Sequence, residues 1–195
     1  MLRGVTTRCE TKACAIICVS DYSICNLRVL REGITSAMQS GNPIFMQQAI
    51  ALATENVLSG HGGPFGAVIV RAGSVIAVGA NQVTSTNDPT AHAEIVAIRK
   101  ACTALATFNL QGCEIYTSCE PCPMCLAAIY WARCDAIFYG NTAADAADTG
   151  FDDASLYDEM TLPHTERKVP IAGLLRDDAF KSFTAWKAHG TRIEY

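Results

Sequence analysis

The sequence predicts a layered α/β domain. From Pro43 onward, short β-branched, apolar runs alternate with longer segments whose apolar residues recur at helical spacing. Turn residues punctuate each change of period. Composition agrees: 195 residues, 50% hydrophobic and 17% charged, can bury the core of one ordinary domain without disulfide staples.

The elements follow in chain order. Asn42-Pro43 reads as the cap and first turn of a helix with Phe45, Ala49, Leu52, Ala53 and Val57 inward, ended by Gly60. Residues 66–71 and 75–80 read as strands, joined in a hairpin by Ala72-Gly73-Ser74. Residues 90–107 form a second helix with Ile95, Ile98, Cys102 and Leu105 inward. A strand over 113–118 leads to a third helix over 122–133, opened by Pro123 where proline is tolerated, and then to a strand over 135–140. Asn141-Thr142 opens a polar loop. Short helices, a weak strand over 169–175 and a closing helix near 178–189 complete the expected domain.

Composition also excludes several classes. Disorder, collagen and coiled coil do not fit it. The most membrane-like stretch, 121–132, is charge-free but far short of the roughly 20 apolar residues that span a bilayer. The formal charge of −4 opposes a nucleic-acid ligand, which calls for a basic patch.

Residues 1–37 differ from the rest. They carry five basic and three acidic residues, against ten basic and sixteen acidic in the remainder, so the body stands at −6. The segment lacks clear periodicity, and as a signal peptide it has a short apolar run, acidic flanks and no small-x-small cleavage site. The expectation is an N-terminal extension, disordered or untranslated, with Met38 or Met46 as the functional start and 38–195 as a single domain.

Ten cysteines fall into three sets: 9, 14, 18 and 25 in the extension; 119, 122 and 125 together; and 102, 113 and 134 apart. The last three read as small buried apolar residues. Cys122 and Cys125, three apart at a helix start, can turn both sulfurs to one side within chelating reach. The positive helix end favours their thiolates. His92, from the first turn of another helix, supplies a third donor. Zinc takes such nitrogen and thiolate ligands and, in catalytic sites, keeps one position for water, whose pKa it lowers toward neutrality. Glu94, two residues beyond His92, would point elsewhere on a helix and suits proton transfer better than ligation.

Each piece has a plainer reading. A lone Cys-x-x-Cys can be a structural zinc half-site or a redox pair. Cys119 extends it to a triple that could suggest an iron–sulfur cluster, but the expected fourth cysteine and following proline are missing. His-x-Glu followed some thirty residues later by Pro-Cys-x-x-Cys, each opening a helix, is the known signature of zinc deaminases.

The chain resembles the cytidine deaminase superfamily, and within it the bacterial guanine deaminase branch. The likeness runs from about Pro43 to Tyr195. It rests on Gly62-Gly63-Pro64-Phe65-Gly66-Ala67-Val68-Ile69-Val70, Asn87-Asp88-Pro89-Thr90-Ala91-His92-Ala93-Glu94 and Tyr116-Thr117-Ser118-Cys119-Glu120-Pro121-Cys122-Pro123-Met124-Cys125. Ile129-Tyr130-Trp131-Ala132-Arg133, Gly150-Phe151-Asp152-Asp153 and the terminal Glu194-Tyr195 extend it.

The resemblance implies a three-layer α/β/α sandwich with a central five-stranded mixed sheet, and a homodimer with swapped C-terminal segments. It implies one Zn2+ per subunit held by His92, Cys122 and Cys125, with Glu94 shuttling protons. It further implies that Asn81 hydrogen-bonds a purine, Phe65 packs on its ring, and Asp153 and the partner copy's Tyr195 bound the 2-amino edge. By residues alone, Asn81 could be a turn residue, Phe65 core, Asp153 solvated surface and Tyr195 a frayed end. The function expected is hydrolytic deamination of guanine to xanthine and ammonia, within purine catabolism or salvage, in a reducing cytoplasm, with no nucleic-acid or membrane partner. The alternatives are another base or nucleoside (guanosine, cytosine, or adenosine in transfer RNA), or a structural zinc module that binds a protein and has Cys119 as fourth ligand.

Overall fold

The fold is that of a computed structural model describing residues 41–151 and 153–194, without the side chains of Asp153 and Ala154. The expectation of an extension at 1–37 lies outside the described residues, as do Tyr195 and the Asp153 side chain.

Helix α1 spans Pro43–Leu58, with Pro43 in its first turn and Asn42 as its cap, whose side chain accepts from Ile44 N at 3.0 Å. Strands β1 (Gly66–Arg71) and β2 (Ser74–Ala80) follow as an antiparallel hairpin. Its two-residue turn, Ala72-Gly73, has positive φ at both positions (48° and 75°), which matches the right-handed twist of paired strands. A one-turn helix α2 (Val83–Thr86) leads to α3 (Ala93–Leu105), β3 (Cys113–Cys119), α4 (Pro123–Ala132) and β4 (Ala136–Asn141). Helices α5 (Ala143–Asp148) and α6 (Asp153–Thr161), a 3-10 turn (His164–Glu166) and α7 (Arg176–Ala188) complete the described chain.

The mixed sheet runs β2-β1-β3-β4, antiparallel except for the parallel β3/β4 pair. Alternation along β1 sends Ala67 and Ile69 to one face and Val68 and Val70 to the other, so both faces are buried. The first face packs against α3 and α4 through Ala97, Ala101 and Ile129; the second packs against α1 through Ala49, Phe45 and Leu52. This is the expected α/β/α layering.

Four expectations need correction. The sheet has four strands among the described residues, not five. Residues 169–175 form none: Pro170 has no N–H for a ladder, Leu175 is left-handed (φ 51°), and the apolar side chains there are exposed, with no face to bury. In α3, Ile98, Cys102 and Leu105 do pack on the core while remaining partly buried, but the fully buried apolar face is Ala93, Val96, Ala97 and Ala101, and Ile95 is not part of the core cluster. The alanine seam depends on Gly79. A Cβ there would collide with Ala93 O and Ala97 N, so α3 lies against bare backbone at Ala93 and Ala97. Likewise, Asn56 rather than Val57 is buried at the end of α1. Finally, Asn141-Thr142 is no loop. Asn141 ends β4, and Thr142 caps α5 in a capping box with Asp145.

The described domain begins with packed residues. Asn42 N donates to Tyr116 Oη at 3.0 Å, and Phe45 packs on the Tyr116 ring. Its far end differs, since every residue of 168–194 is exposed. No helix among the described residues is long and apolar enough to cross a membrane.

Candidate active site

His92 and Cys122 are both N-cap residues with extended backbone, at the starts of α3 and α4. His92 therefore lies just before the helix rather than in its first turn. Cys125 sits one turn into α4, so its sulfur returns to the same end. The three donors converge: His92 Nδ1 is 3.7 Å from Cys122 Sγ and 3.5 Å from Cys125 Sγ, and all ligand atoms lie within 4.8 Å of one another. Zinc bonds of about 2.3 Å to sulfur and 2.0–2.1 Å to nitrogen at tetrahedral angles separate S from N by about 3.6 Å. The donor set and its spacing fit a tetrahedral zinc with one position to spare.

Sulfur electrostatics agree. With no metal, the hydrogen bond from Cys125 holds Cys122 down at about 4, while Cys125 is pushed up because its proton bridges the two sulfurs. A bound cation would hold both as thiolates, displacing the remaining proton.

Cys119 does not join this group. Its thiol donates to Thr142 O at 3.5 Å. Cys102, Cys113 and Cys134 are free thiols of the core, where burial raises their pKa values, Cys134 to about 12.

Glu94 is buried (7% exposed) against both sulfurs and His92, and burial pushes its carboxyl up to about 7. A carboxyl titrating near neutrality can both take and give a proton, as a shuttle must.

A cavity of ≈510 Å³ opens over these groups, a usual size for a small-molecule site. His92, Glu94 and Cys122 line its floor with Asn81 and Phe65. Asn81 is buried at the end of β2, and its Oδ1 accepts from Val83 N at 3.2 Å. Phe65 is half-buried, packed at once on the core and edge-on to Phe151, with ring centroids 4.8 Å apart. Phe65 thus belongs both to the core and to the cavity wall. Asp153 contributes the first backbone turn of α6.

Sequence reasoning assigned no role to Glu120, Val83, Thr84 or Phe151, which also line the cavity. Glu120 could have been found, standing between Cys119 and Pro121 of the cysteine motif. Its Oε2 accepts from Ala143 N at 3.0 Å, tying that motif to the start of α5. Phe151 lies in a stretch that carries the family likeness, but its contact with Phe65 had no local signal, because only the fold brings the two rings together.

The cytidine and deoxycytidylate deaminase zinc-binding region matches residues 40–141. This chain belongs to that zinc-dependent deaminase family. It is 52% identical over 151 residues to guanine deaminase of Bacillus subtilis, covering 77% of this chain and 97% of that protein. The solved structure of guanine deaminase from B. subtilis superposes with a TM-score of 0.77 at 50% identity, covering 80% of this chain and 99% of that one. The tRNA-specific adenosine deaminase of Aquifex aeolicus is 41% identical over 102 residues, 52% of this chain and 66% of that protein.

Proposed function

We propose that the chain is a guanine deaminase, a hydrolase that converts guanine and water to xanthine and ammonia. The observation that carries the substrate is the likeness to guanine deaminase along 97% of that protein's length, where the adenosine deaminase likeness spans 66%. The cavity supports the chemistry.

His92, Cys122 and Cys125 would hold one Zn2+, which when bound activates a water as a nucleophile at neutral pH. The remaining steps belong to the chain. Phe65 offers its ring to the base and Asn81 its amide, whose Nδ2 donors remain for the purine because Oδ1 is engaged by Val83 N. Glu94 takes one proton from the water that attacks C2 and passes it to the ring nitrogen, then carries the second proton from the new C2 hydroxyl to the amine, so that the C2–N bond breaks, ammonia leaves and the C2 carbonyl of xanthine forms. Asp153 and a partner's Tyr195 bound the 2-amino edge.

The finer reading is a homodimer with swapped C-terminal segments. Its support is α7, which leaves Phe180, Phe183 and Trp186 exposed at 48%, 63% and 43% within the monomer, more apolar surface than a free helix of this kind tolerates. Six cysteines among the described residues, none in a disulfide there, suit a reducing cytoplasm. Residues 1–37 are proposed to be dispensable, so a chain starting at Met38 should keep full turnover.

The structural zinc module is the weaker reading, because Cys119 bonds Thr142 O instead of completing the donor set. The deciding experiment is ammonia release from guanine, guanosine, adenine, cytosine, cytidine and transfer RNA. Release from guanine is expected; activity confined to a pyrimidine or to RNA rejects the substrate and leaves the metal site standing.

A further inference from the structure

We propose that Asn56 is a positioning residue for the base-binding wall of the cavity, an inference that rests on the guanine deaminase reading above. Asn56 lies on the buried side of α1, where the apolar stripe calls for a hydrophobic residue, and it is 7% exposed. A buried amide is costly unless its hydrogens find acceptors. Both do: Nδ2 donates to Gly63 O and to Asn81 O, each at 2.9 Å.

Those carbonyls belong to different chain segments. Gly63 lies in the loop entering β1, and Asn81 closes β2. Two further bonds knit them together, Phe65 N to Gly63 O at 2.9 Å and Asn81 N to Phe65 O at 3.1 Å. Gly62 shows how tight the junction is. A Cβ there would strike Asn81 O and stand 2.9 Å from Asn56 Nδ2. One amide thus sets the separation of Phe65 and Asn81, the ring and the amide expected to grip the base, without itself lining the cavity. The metal donors and Glu94 stand on α3 and α4, outside this clamp.

The split between binding and chemistry follows. Losing the clamp should loosen the base and leave the proton-transfer machinery in place. Asn56→Asp is the sharpest change, because it keeps the shape and turns an oxygen toward two carbonyl oxygens; Asn56→Ser replaces the two amide donors with one hydroxyl on a shorter side chain.

The experiment measures zinc content, kcat and KM for guanine in wild type, Asn56→Asp, Asn56→Ser, Asn81→Ala and the Asn56→Ser/Asn81→Ala double variant. Both Asn56 variants should keep wild-type zinc and a kcat within about threefold, while KM rises about tenfold or more. On the Asn81→Ala background, Asn56→Ser should raise KM by less than about threefold, because it acts largely through the residue already removed. An unchanged KM, a fall in kcat matching the loss of zinc, or a fully multiplicative double variant overturns the proposal. Should the Asn56 variants not fold, Gly62→Ala presses the same junction from the other side; it must show the KM rise at full zinc, and a wild-type KM there overturns the proposal equally. Wild-type protein that releases no ammonia from guanine instead rejects the functional reading, and this inference with it.

Discussion

His92 Nδ1 stands 3.5 Å from Cys125 Sγ, although 33 residues separate them, because α3 and α4 begin at the same end of the sheet. Purified protein should therefore carry one zinc per chain. Cys125→Ser should weaken zinc binding by about 100-fold or more and reduce turnover to background. Metal analysis after dialysis checks the first, and ammonia release the second.

The role proposed for Glu94 is proton transfer, since the converging donor group is His92, Cys122 and Cys125. Glu94→Gln should retain zinc and lose about 10³-fold or more in kcat, since a carboxamide cannot relay a proton. A variant within tenfold of wild type would show that another group moves the proton.

The same carboxyl gives a signed pH effect in the metal-free protein. Burial raises its folded pKa from 4.5 to about 7. Between those values the folded state binds more protons than the unfolded chain, so stability is complete below about 4.5 and is lost as pH rises through about 7. Glu94→Gln has nothing to ionise. Chelated variant and chelated wild type should have similar urea midpoints near pH 4. Above pH 7 the variant should be more stable by about 3 kcal/mol at most, from about 1.4 kcal/mol per pK unit.

Gly79→Ala inserts a methyl where α3 touches β2, against Ala93 O and Ala97 N. It should destabilise by about 1–3 kcal/mol, the usual cost of overpacking. Because Ala93 adjoins His92, zinc should also bind more weakly. Urea unfolding and competition with a chelator measure the two effects.

A swapped dimer predicts shared sites. Glu94→Gln and Tyr195→Ala chains should each be nearly inactive alone, yet co-expressed heterodimers should recover about a quarter of wild-type activity, since half the dimers then hold one intact site of two. Light scattering should show a dimer. A monomer, or no recovery, counts against the swap.

The α/β class, the hairpin, the four longer helices α1, α3, α4 and α7, and the grouping of His92, Glu94, Cys122 and Cys125 were legible in the sequence. Each rests on local rules: apolar periodicity, proline at a helix start, and donor spacing at helix N-termini. In α3 the inward packing of Ile98, Cys102 and Leu105 was legible, but the alanine seam beside them was not: it depends on Gly79, on another element, whose bare backbone lets Ala93 and Ala97 approach closely.

Asn56 carried no signal for the same reason. A polar residue late in a helix reads as solvated until the fold sets two carbonyls from distant segments against its amide. Phe151 meets Phe65 only in the fold. Residues 169–175 show the converse case, in which β-branched content suggested a strand that the backbone, with Pro170 and a left-handed Leu175, does not form. The sequence by itself determined which elements form and which atoms can bind a metal, because those depend on neighbours within a turn or two. The tertiary structure decided which faces meet and which amide finds its acceptors, because close packing depends on what stands opposite.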